Sequence, residues 1–587
     1  MYQVAPESKP LRSGRSGIAI RAISFVALMV LISRLLFAAS PGDAIITDQN
    51  AVANRNKPER MDWLQDAGFG MFIHWSVDCQ LGGDISHVVA DADNKVLDWY
   101  FHELPKTLDP TQCDPTHWMD LARLAGMRYA VFTTKHHNGF CWWDTSTTDY
   151  NVMKTPYARD VVKMFTDAAR RAGLAVGIYY SPDDFYFLYR HGLPVTRPAP
   201  AMDAATEASF KDLIRTQTRE LMTRYGTIDL LFIDGSPKEP CRDEGWNCNP
   251  NLLVTRGALT TPEQHLPGRA LPGAWEANVT MGIQWPYKPT GEVYKSSSKL
   301  LEILVETRAK GGALLLNVGP MPNGELPPEQ EGRLRDMALW HAFNGECIHD
   351  TRPWIITNEE NIWFTRRKET PVEDATIYAI ITGVDNWERG QRRTITIRSA
   401  KVTDRTRITF LGQNEKTLEY QPSADPSTKW RQTSQGLEIS AMRTLRFTTS
   451  GNYANPMVLK MEHVQPAIVP PAVDTENALT NSNGGATLKG RLVDLGKVHE
   501  VKVGFEYQEY LGFTEALYND QWSRTPMKQL SSPGDFHAEI NGLKPGKTYR
   551  YRAIVVHPKI TMRGEFQQVG PILPQKNEKT KEQGGRQ

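Results

Sequence analysis

The chain has 587 residues, more than one ordinary domain holds, with 68 basic and 67 acidic residues and a formal net charge of +1. That balance excludes a global field steering the protein toward nucleic acid or an anionic membrane, and leaves a neutral ligand as the default. Fifteen Trp, 20 Tyr and 20 Phe supply aromatic faces that serve sugar rings and apolar cores equally well.

In chain order, Arg12 and Arg15 precede an apolar run from Ala22 to Ile32, followed by Ser33-Arg34 and the small residues Ala38, Ala39, Ser40 and Gly42. Residues 1–45 read as a secretory signal and processing region, since such a run falls short of the roughly 20 apolar residues that span a bilayer. An uncleaved anchor that also uses Leu35, Leu36 and Phe37 is the alternative. The expected location is therefore secreted or periplasmic, with membrane contact only if this segment is retained.

From residue 58 onward, apolar runs alternate with helical patterns. Phe69 to Trp75, Tyr129 to Thr134, Leu174 to Tyr180, Ile228 to Ile233 and Gly312 to Val318 are predicted strands. Between them, Thr116 to Ala125, Asp160 to Ala172, Ser209 to Tyr225 and Lys299 to Lys310 have helical spacing, three of them stopped by Gly126, Gly173 and Gly226. Continuous apolar strands separated by helices indicate a parallel sheet covered on both faces. The absence of a glycine-rich phosphate turn after the first strand favours a (β/α) TIM-like barrel over 58–353. Short strands then take over: Ile377 to Thr382, Arg393 to Ile397, Arg407 to Leu411, Leu437 to Ile439 and Met457 to Met461 suggest a β-sandwich over 354–463. Val464 to Val473 reads as a linker, and residues 474–573 as a second all-β unit with strands at Ala486 to Leu492, Val501 to Tyr507, Phe536 to Ile540 and Thr548 to Val556. Residues 574–587 read as a disordered tail. The six Cys make neither a disulfide scaffold nor a zinc-type cluster, although Cys241 and Cys248 bracket a short segment and could pair in an oxidising compartment. No metal or cofactor is expected.

In a barrel, chemistry collects where strands end, so polar residues closing apolar runs are the informative ones. Here they are His74, the stretch Lys135-His136-His137-Asn138-Gly139-Phe140, Tyr179-Tyr180-Ser181, and Asp234-Gly235. Taken singly, a strand-end Asp caps or turns more often than it reacts. Adjacent histidines on a regular strand would face opposite ways, one catalytic and one structural.

Gly70-Met71-Phe72-Ile73-His74-Trp75, Asp98-Trp99-Tyr100, the His136-His137 stretch, Leu231-Phe232-Ile233-Asp234-Gly235, Trp275-Glu276, Gln284-Trp285-Pro286-Tyr287, and the run Lys310 to Pro320 resemble the successive motifs of family 29 glycoside hydrolases, the α-L-fucosidases. So do Asn344-Gly345-Glu346 and Thr351-Arg352-Pro353-Trp354, and the likeness spans roughly residues 58 to 460. The resemblance implies an irregular barrel followed by a β-sandwich, and a retaining hydrolysis of fucosylated glycans. It implies Asp234 as nucleophile, and as acid/base either Glu263, in Thr261-Pro262-Glu263, or Glu276, thirteen residues later. It further implies sugar contacts from His74, Asp98, Trp99, His136, His137, Tyr180 and Arg256, with aromatic walls from Phe232, Trp285 and Tyr287. Asp98 in place of the usual Glu, Phe232 in place of Trp and the interrupting Pro286 depart from the pattern, and put aglycone and linkage preference in question more than activity. Separately, Asn541 to Tyr549 is similar to the loop and tyrosine of fibronectin type III modules. Two other readings compete: a glycan-binding protein on a decayed barrel, and a hydrolase using His74, His136 and His137 as a metal site. The second lacks a carboxylate at metal-ligand spacing along the sequence. Oligomeric state has no signature.

Overall fold

The computed structural model describes residues 54–445, 455–481, 484–512 and 521–572; the proposed signal and tail lie outside them. Among the described residues no helix is long and apolar enough to cross a membrane.

The first part alternates strand and helix: α1 (Pro58–Ala67), β1 (Phe69–Ile73), α2 (Asn94–His102), α3 (Pro115–Leu124), β2 (Tyr129–Lys135), α4 (Val161–Arg171), β3 (Ala175–Tyr180), α5 (Phe185–Arg190), α6 (Ala204–Arg224), β4 (Leu230–Ile233), α7 (Glu239–Cys248), β5 (Leu253–Val254), β6 (Glu276–Thr280), α8 (Ser297–Ala309), β7 (Ala313–Val318) and α9 (Pro328–Asn344). Aspartates cap several helices, with Asp160 accepting from Lys163 N in α4 and Asp184 from Phe187 N in α5. All seven strands are parallel, in the order β5-β4-β3-β2-β1-β7-β6. Between β5 and β6 the curled sheet is completed by single bridges, Arg256 to Leu259, Thr260 to Trp275 and Glu263 to Asn278. The result is a barrel with one irregular wall, and that wall carries Glu263.

Strand periodicity sorts the side chains. Phe72, Tyr129, Val131, Tyr179, Leu230, Phe232, Ala313 and Leu315 pack against one another inside the barrel. Their neighbours Met71, Ile73, Ala130, Phe132, Ile178, Tyr180, Leu231, Ile233, Leu314 and Leu316 face the helices in a second cluster. Both faces are apolar, which is why the runs are continuous in sequence.

Antiparallel strands follow: β8 (Thr351–Glu359), β9 (Ile362–Arg367), β10 (Ala375–Ile381), β11 (Arg392–Ile397), β12 (Ala400–Lys401), β13 (Arg407–Phe410), β14 (Lys429–Gln432), β15 (Leu437–Met442) and β16 (Met457–Pro466). They share one core that includes Phe364, Ile377, Ile439 and Leu459. The last group, β17 (Ala472–Thr480), β18 (Ala486–Asp494), β19 (Val501–Glu509), β20 (Ser523–Arg524), β21 (Lys528–Leu530), β22 (Gly534–Ile540), β23 (Tyr549–Val556), β24 (Thr561–Arg563) and β25 (Gln567–Val569), has its own core around Leu488, Phe505 and Tyr551. Within it, Lys544 N donates to Tyr549 Oη at 3.0 Å, closing the loop on the tyrosine. Half of the stretch read as a linker is strand, since β16 runs to Pro466 and β17 begins at Ala472; Pro470 and Pro471 lie in the short gap and, with Pro466, obscured the flanking strands. Cys241 and Cys248 are free and both lie on α7. Two helical turns set them roughly 10 Å apart along the axis, beyond the span of a disulfide.

Candidate active site

Asp234 follows β4 directly, in step with the inward residues Leu230 and Phe232, so its carboxyl enters the barrel mouth with 19 % of the side chain exposed. Gly235 turns the chain away at φ +127°, and a Cβ there would come within 2.6 Å of Asp183 Oδ2, so the turn requires glycine.

Four groups converge on the carboxylate. Arg256 Nη1 donates to Oδ1 at 3.2 Å, Arg197 Nη2 lies 3.4 Å from the same oxygen, Tyr179 Oη donates to Oδ2 at 2.9 Å, and His137 Nε2 stands 3.7 Å from Oδ2. Burial alone would raise the Asp234 carboxyl, but the guanidiniums of Arg256 and Arg197 outweigh it and hold it well below the usual carboxylate range. The group is an anion at neutral pH.

Arg256 carries a second carboxyl. Its Nη2 donates to Glu263 Oε2 at 2.5 Å while its Cζ lies 4.8 Å from the centre of the Phe232 ring. One guanidinium therefore spans Asp234 and Glu263. Glu263 is 24 % exposed and rides on a segment zipped to β6, where Gln264 N donates to Asn278 O and Asn278 N to Pro262 O, each at 2.9 Å. Glu276 occupies a different place. It opens β6, is 0 % exposed, and its Oε2 accepts from Tyr129 Oη at 2.6 Å inside the barrel. Burial pushes its carboxyl up to about 7. Of the two acids considered, only Glu263 is both solvent-accessible and coupled to Asp234.

The histidines line one side of the carboxylate. Asn317 Nδ2 donates to Trp285 O at 2.6 Å, so Asn317 Oδ1 accepts from His74 Nδ1, also at 2.6 Å. Arg197 Nη1 meets His137 Nε2 at 2.9 Å; because arginine can only donate, that nitrogen is the acceptor and Nδ1–H faces Ser181 Oγ at 2.7 Å. Burial lowers all three rings, His74 to about 4 and His136 and His137 well below the usual range, so they are neutral at pH 7. His136 and His137 do not oppose each other as expected: β2 ends at Lys135, the backbone leaves strand geometry, and the two rings lie 4.1 Å apart on the same side. His136 stacks on Tyr179 and bonds Ser86 Oγ through Nδ1 at 2.7 Å.

Several expected residues sit elsewhere. Tyr180 faces the helices, with its Oη donating to Gln217 Oε1 at 2.8 Å and Lys135 Nζ over its ring; alternation along β3 turns Tyr179 to Asp234 instead. Phe232 is buried between Phe72 and Tyr179, a support beneath Arg256 rather than an open wall. Trp285 is half-buried with its ring 4.8 Å from His74, and Tyr287 is half-buried beside the backbone of Gly319. Asp98 and Trp99 lie on α2; Asp98 accepts from Tyr189 Oη and Trp99 is 46 % exposed. Neither touches the Asp234 cluster. Sequence reasoning missed Arg197 and Asp183, which pair at 2.9 Å, Ser86, and His87, whose ring lies 5.3 Å from that of His137. Tyr179 was marked as part of a strand end but given no role, although it shares inward parity with the barrel core.

Folding does bring a carboxylate to the histidines: one ligand atom each of His136, His137 and Asp234 lies within 4.8 Å of the others. The positive partners of this set are already in place as the guanidiniums of Arg197 and Arg256, and the His137 Nε2 lone pair is engaged by Arg197.

The model of the alpha-L-fucosidase family matches residues 47–346. The chain is 29 % identical over 372 residues to the plasma alpha-L-fucosidase of Rattus norvegicus, covering 54 % of this chain and 76 % of that protein. Alpha-L-fucosidase isoenzyme 1 from Paenibacillus thiaminolyticus superimposes with a TM-score of 0.56 at 25 % identity, covering 70 % of this chain and 99 % of that one. A family 29 alpha-L-fucosidase from Bacteroides thetaiotaomicron, solved as a trapped covalent intermediate with 2-fluoro-fucosyl fluoride, matches with a TM-score of 0.53 at 21 % identity, over 70 % of this chain and 97 % of that one.

Proposed function

The chain belongs to the alpha-L-fucosidase family of glycoside hydrolases, and from that premise we propose a retaining mechanism with Asp234 as nucleophile and Glu263 as acid/base, acting on terminal α-L-fucosyl residues of glycans. In the first step an Asp234 oxygen attacks the anomeric carbon as the bond to the leaving oxygen breaks, and that oxygen takes the proton of Glu263. The covalent fucosyl-Asp234 ester is then hydrolysed: water gives its proton to Glu263 and its oxygen to the anomeric carbon, releasing fucose with retained configuration. The Bacteroides thetaiotaomicron protein trapped as a covalent intermediate is the precedent for such an ester.

The observation that carries this reading is the Arg256 guanidinium, which holds both carboxyls at one mouth. As the ester forms, Asp234 loses its negative charge, and Arg256 and Arg197 remain to hold it as a leaving group for the second step. The neutral His74, whose Nδ1–H is spent on Asn317, accepts a hydrogen bond from a sugar hydroxyl through Nε2, and Trp285 beside it offers an apolar face to the ring and its methyl group.

Export is part of the proposal, supported by the basic residues Arg12 and Arg15 ahead of the apolar run from Ala22 to Ile32; N-terminal sequencing of the mature protein tests it. For the mechanism, Asp234→Ala is expected to lose turnover of aryl α-L-fucoside, and azide is expected to restore a reaction that yields β-fucosyl azide. Turnover at the wild-type rate without azide would remove Asp234 from its role.

A further inference from the structure

The segment carrying Glu263 is held from two sides, and only one side is the barrel. On the inside, residues 262–264 pair with β6. Beyond it, Leu266 is buried in the barrel's helix-side core and Pro267 O accepts from Lys310 Nζ, after which Gly268 and Arg269 meet the last β module, at the connection between β24 and β25. Gly268 N donates to Glu565 Oε1 at 2.7 Å, an oxygen that also accepts from Phe566 N at 2.9 Å. Arg269 pairs with Asp474 of β17 at 2.7 Å.

The approach is close enough to dictate sequence. A Cβ on Gly268 would lie 2.7 Å from Gly564 O and 3.0 Å from Phe566 N, both backbone atoms that cannot swing aside. The module is itself anchored, because Ile560, in the link to β24, is buried in the core of the preceding sandwich. From this contact the chain runs back through His265, whose Nδ1 donates to Glu263 O at 2.8 Å, to the acid itself. Glu565 Oε2 is buried without a hydrogen-bond partner. Burying a carboxylate with one oxygen unsatisfied costs stability, so the fold retains Glu565 here at a cost that its bond to Gly268 alone does not explain.

We propose that the C-terminal β module is a working part of the catalytic centre: Glu565, through the backbone of Gly268, is a positioning residue that fixes Glu263 for protonation of the leaving group. This rests on the assignment of Glu263 as acid/base. Among the described residues the nucleophile side, Asp234 with Arg197, Tyr179 and His137, makes no hydrogen bond or ion pair with the module, so disturbing Glu565 separates the two halves of the reaction. Misplacing a catalytic group by about 1 Å costs up to about 10²-fold, whereas a fucoside whose leaving group departs without protonation does not register the loss in the first step.

The test compares aryl α-L-fucosides of graded leaving-group pKa on wild type, Glu263→Ala, Glu565→Ala, Glu565→Gln and Gly268→Ala, with melting temperature and fucose inhibition followed alongside. For Glu565→Ala, kcat/KM on the poorest leaving group is expected to fall by about 10-fold or more and on the best by less than about 2-fold, with fucose inhibition unchanged. Glu565→Gln keeps the acceptor oxygen and is expected to restore the wild-type slope, while Gly268→Ala mimics Glu565→Ala. A uniform loss across leaving groups, or a wild-type slope in Glu565→Ala beside a steep one in Glu263→Ala, overturns the proposal. A flat slope in Glu263→Ala itself overturns the acid assignment and the proposal with it. If Glu565→Ala does not accumulate as folded protein, Asp474→Ala opens only the exposed pair with Arg269 and is expected to steepen the slope in the same direction; no change there overturns the proposal.

Discussion

Replacing Glu276 by Gln separates the two acids that the sequence left side by side. Glu276 Oε1 and Thr255 Oγ1 are both buried without hydrogen-bond partners, an arrangement suited to a protonated carboxyl donating to the threonine. Burial raises this carboxyl from 4.5 to about 7, against smaller opposing effects from Tyr129, Thr255 and Arg256. A raised folded-state value means that the folded protein binds the proton more tightly than the unfolded chain. The associated stability is therefore fully present below about pH 4.5 and is lost as pH rises through 7. At about 1.4 kcal/mol per unit the loss is roughly 3 kcal/mol, reduced to about 1–3 by local relaxation on ionisation. Gln keeps an acceptor for Tyr129 Oη, gains a donor for Thr255 Oγ1, and carries no charge at any pH. Thermal unfolding of wild type and Glu276→Gln at pH 5 and pH 8 is expected to give similar midpoints at the lower pH and a variant about 2–8 °C more stable at the higher. Its kcat/KM on a poor leaving group is expected to stay within about 2-fold of wild type, because a group outside the reacting set contributes nothing to the transition state. A midpoint difference that does not grow with pH would refute the buried-acid argument. A loss of 10²-fold or more, the scale of a general acid, would return Glu276 to the mechanism.

The paired tyrosines separate the two faces of β3. Tyr179→Phe removes the hydroxyl on Asp234 Oδ2 and is expected to lower kcat by about 10-fold with little change in melting, whereas Tyr180→Phe removes only the bond to Gln217 and is expected to cost about 1 kcal/mol of stability and no activity; steady-state kinetics and thermal melts of both check this. Arg256→Lys keeps a charge but cannot span Asp234 and Glu263, so kcat/KM is expected to fall by about 10² or more on good and poor leaving groups alike.

Much of the barrel was legible because its strands are buried on both faces and its helices are stopped by glycines. Asp234 was legible too, as a polar residue ending an apolar run, and its inward parity with Leu230 and Phe232 fixes where it points. The same counting turns Tyr179 inward and Tyr180 outward, so the choice of Tyr180 failed on register. It fails altogether once a strand ends, as at His136 and His137, where the chain leaves β2 and both rings turn to one side. Arg197 sits in a Pro-containing connection between α5 and α6 with no periodicity to mark it. The Glu565 contact joins residues some 300 apart, and no local pattern encodes such a meeting. Glu276 was ambiguous because a Trp-Glu motif reads alike whether the carboxyl ends in solvent or beside Tyr129 inside the barrel. Cys241 and Cys248 looked like neighbours until α7 drew them two turns apart.

If Asp234 forms the covalent bond to fucose, incubation with 2-fluoro-fucosyl fluoride followed by digestion and peptide mass spectrometry is expected to find one 2-deoxy-2-fluorofucosyl group on the peptide containing Leu230–Gly235, localised to Asp234 and absent from Asp234→Ala. Label on Glu263 or Glu276, or inactivation-free turnover with no labelled peptide, would remove Asp234 from that role.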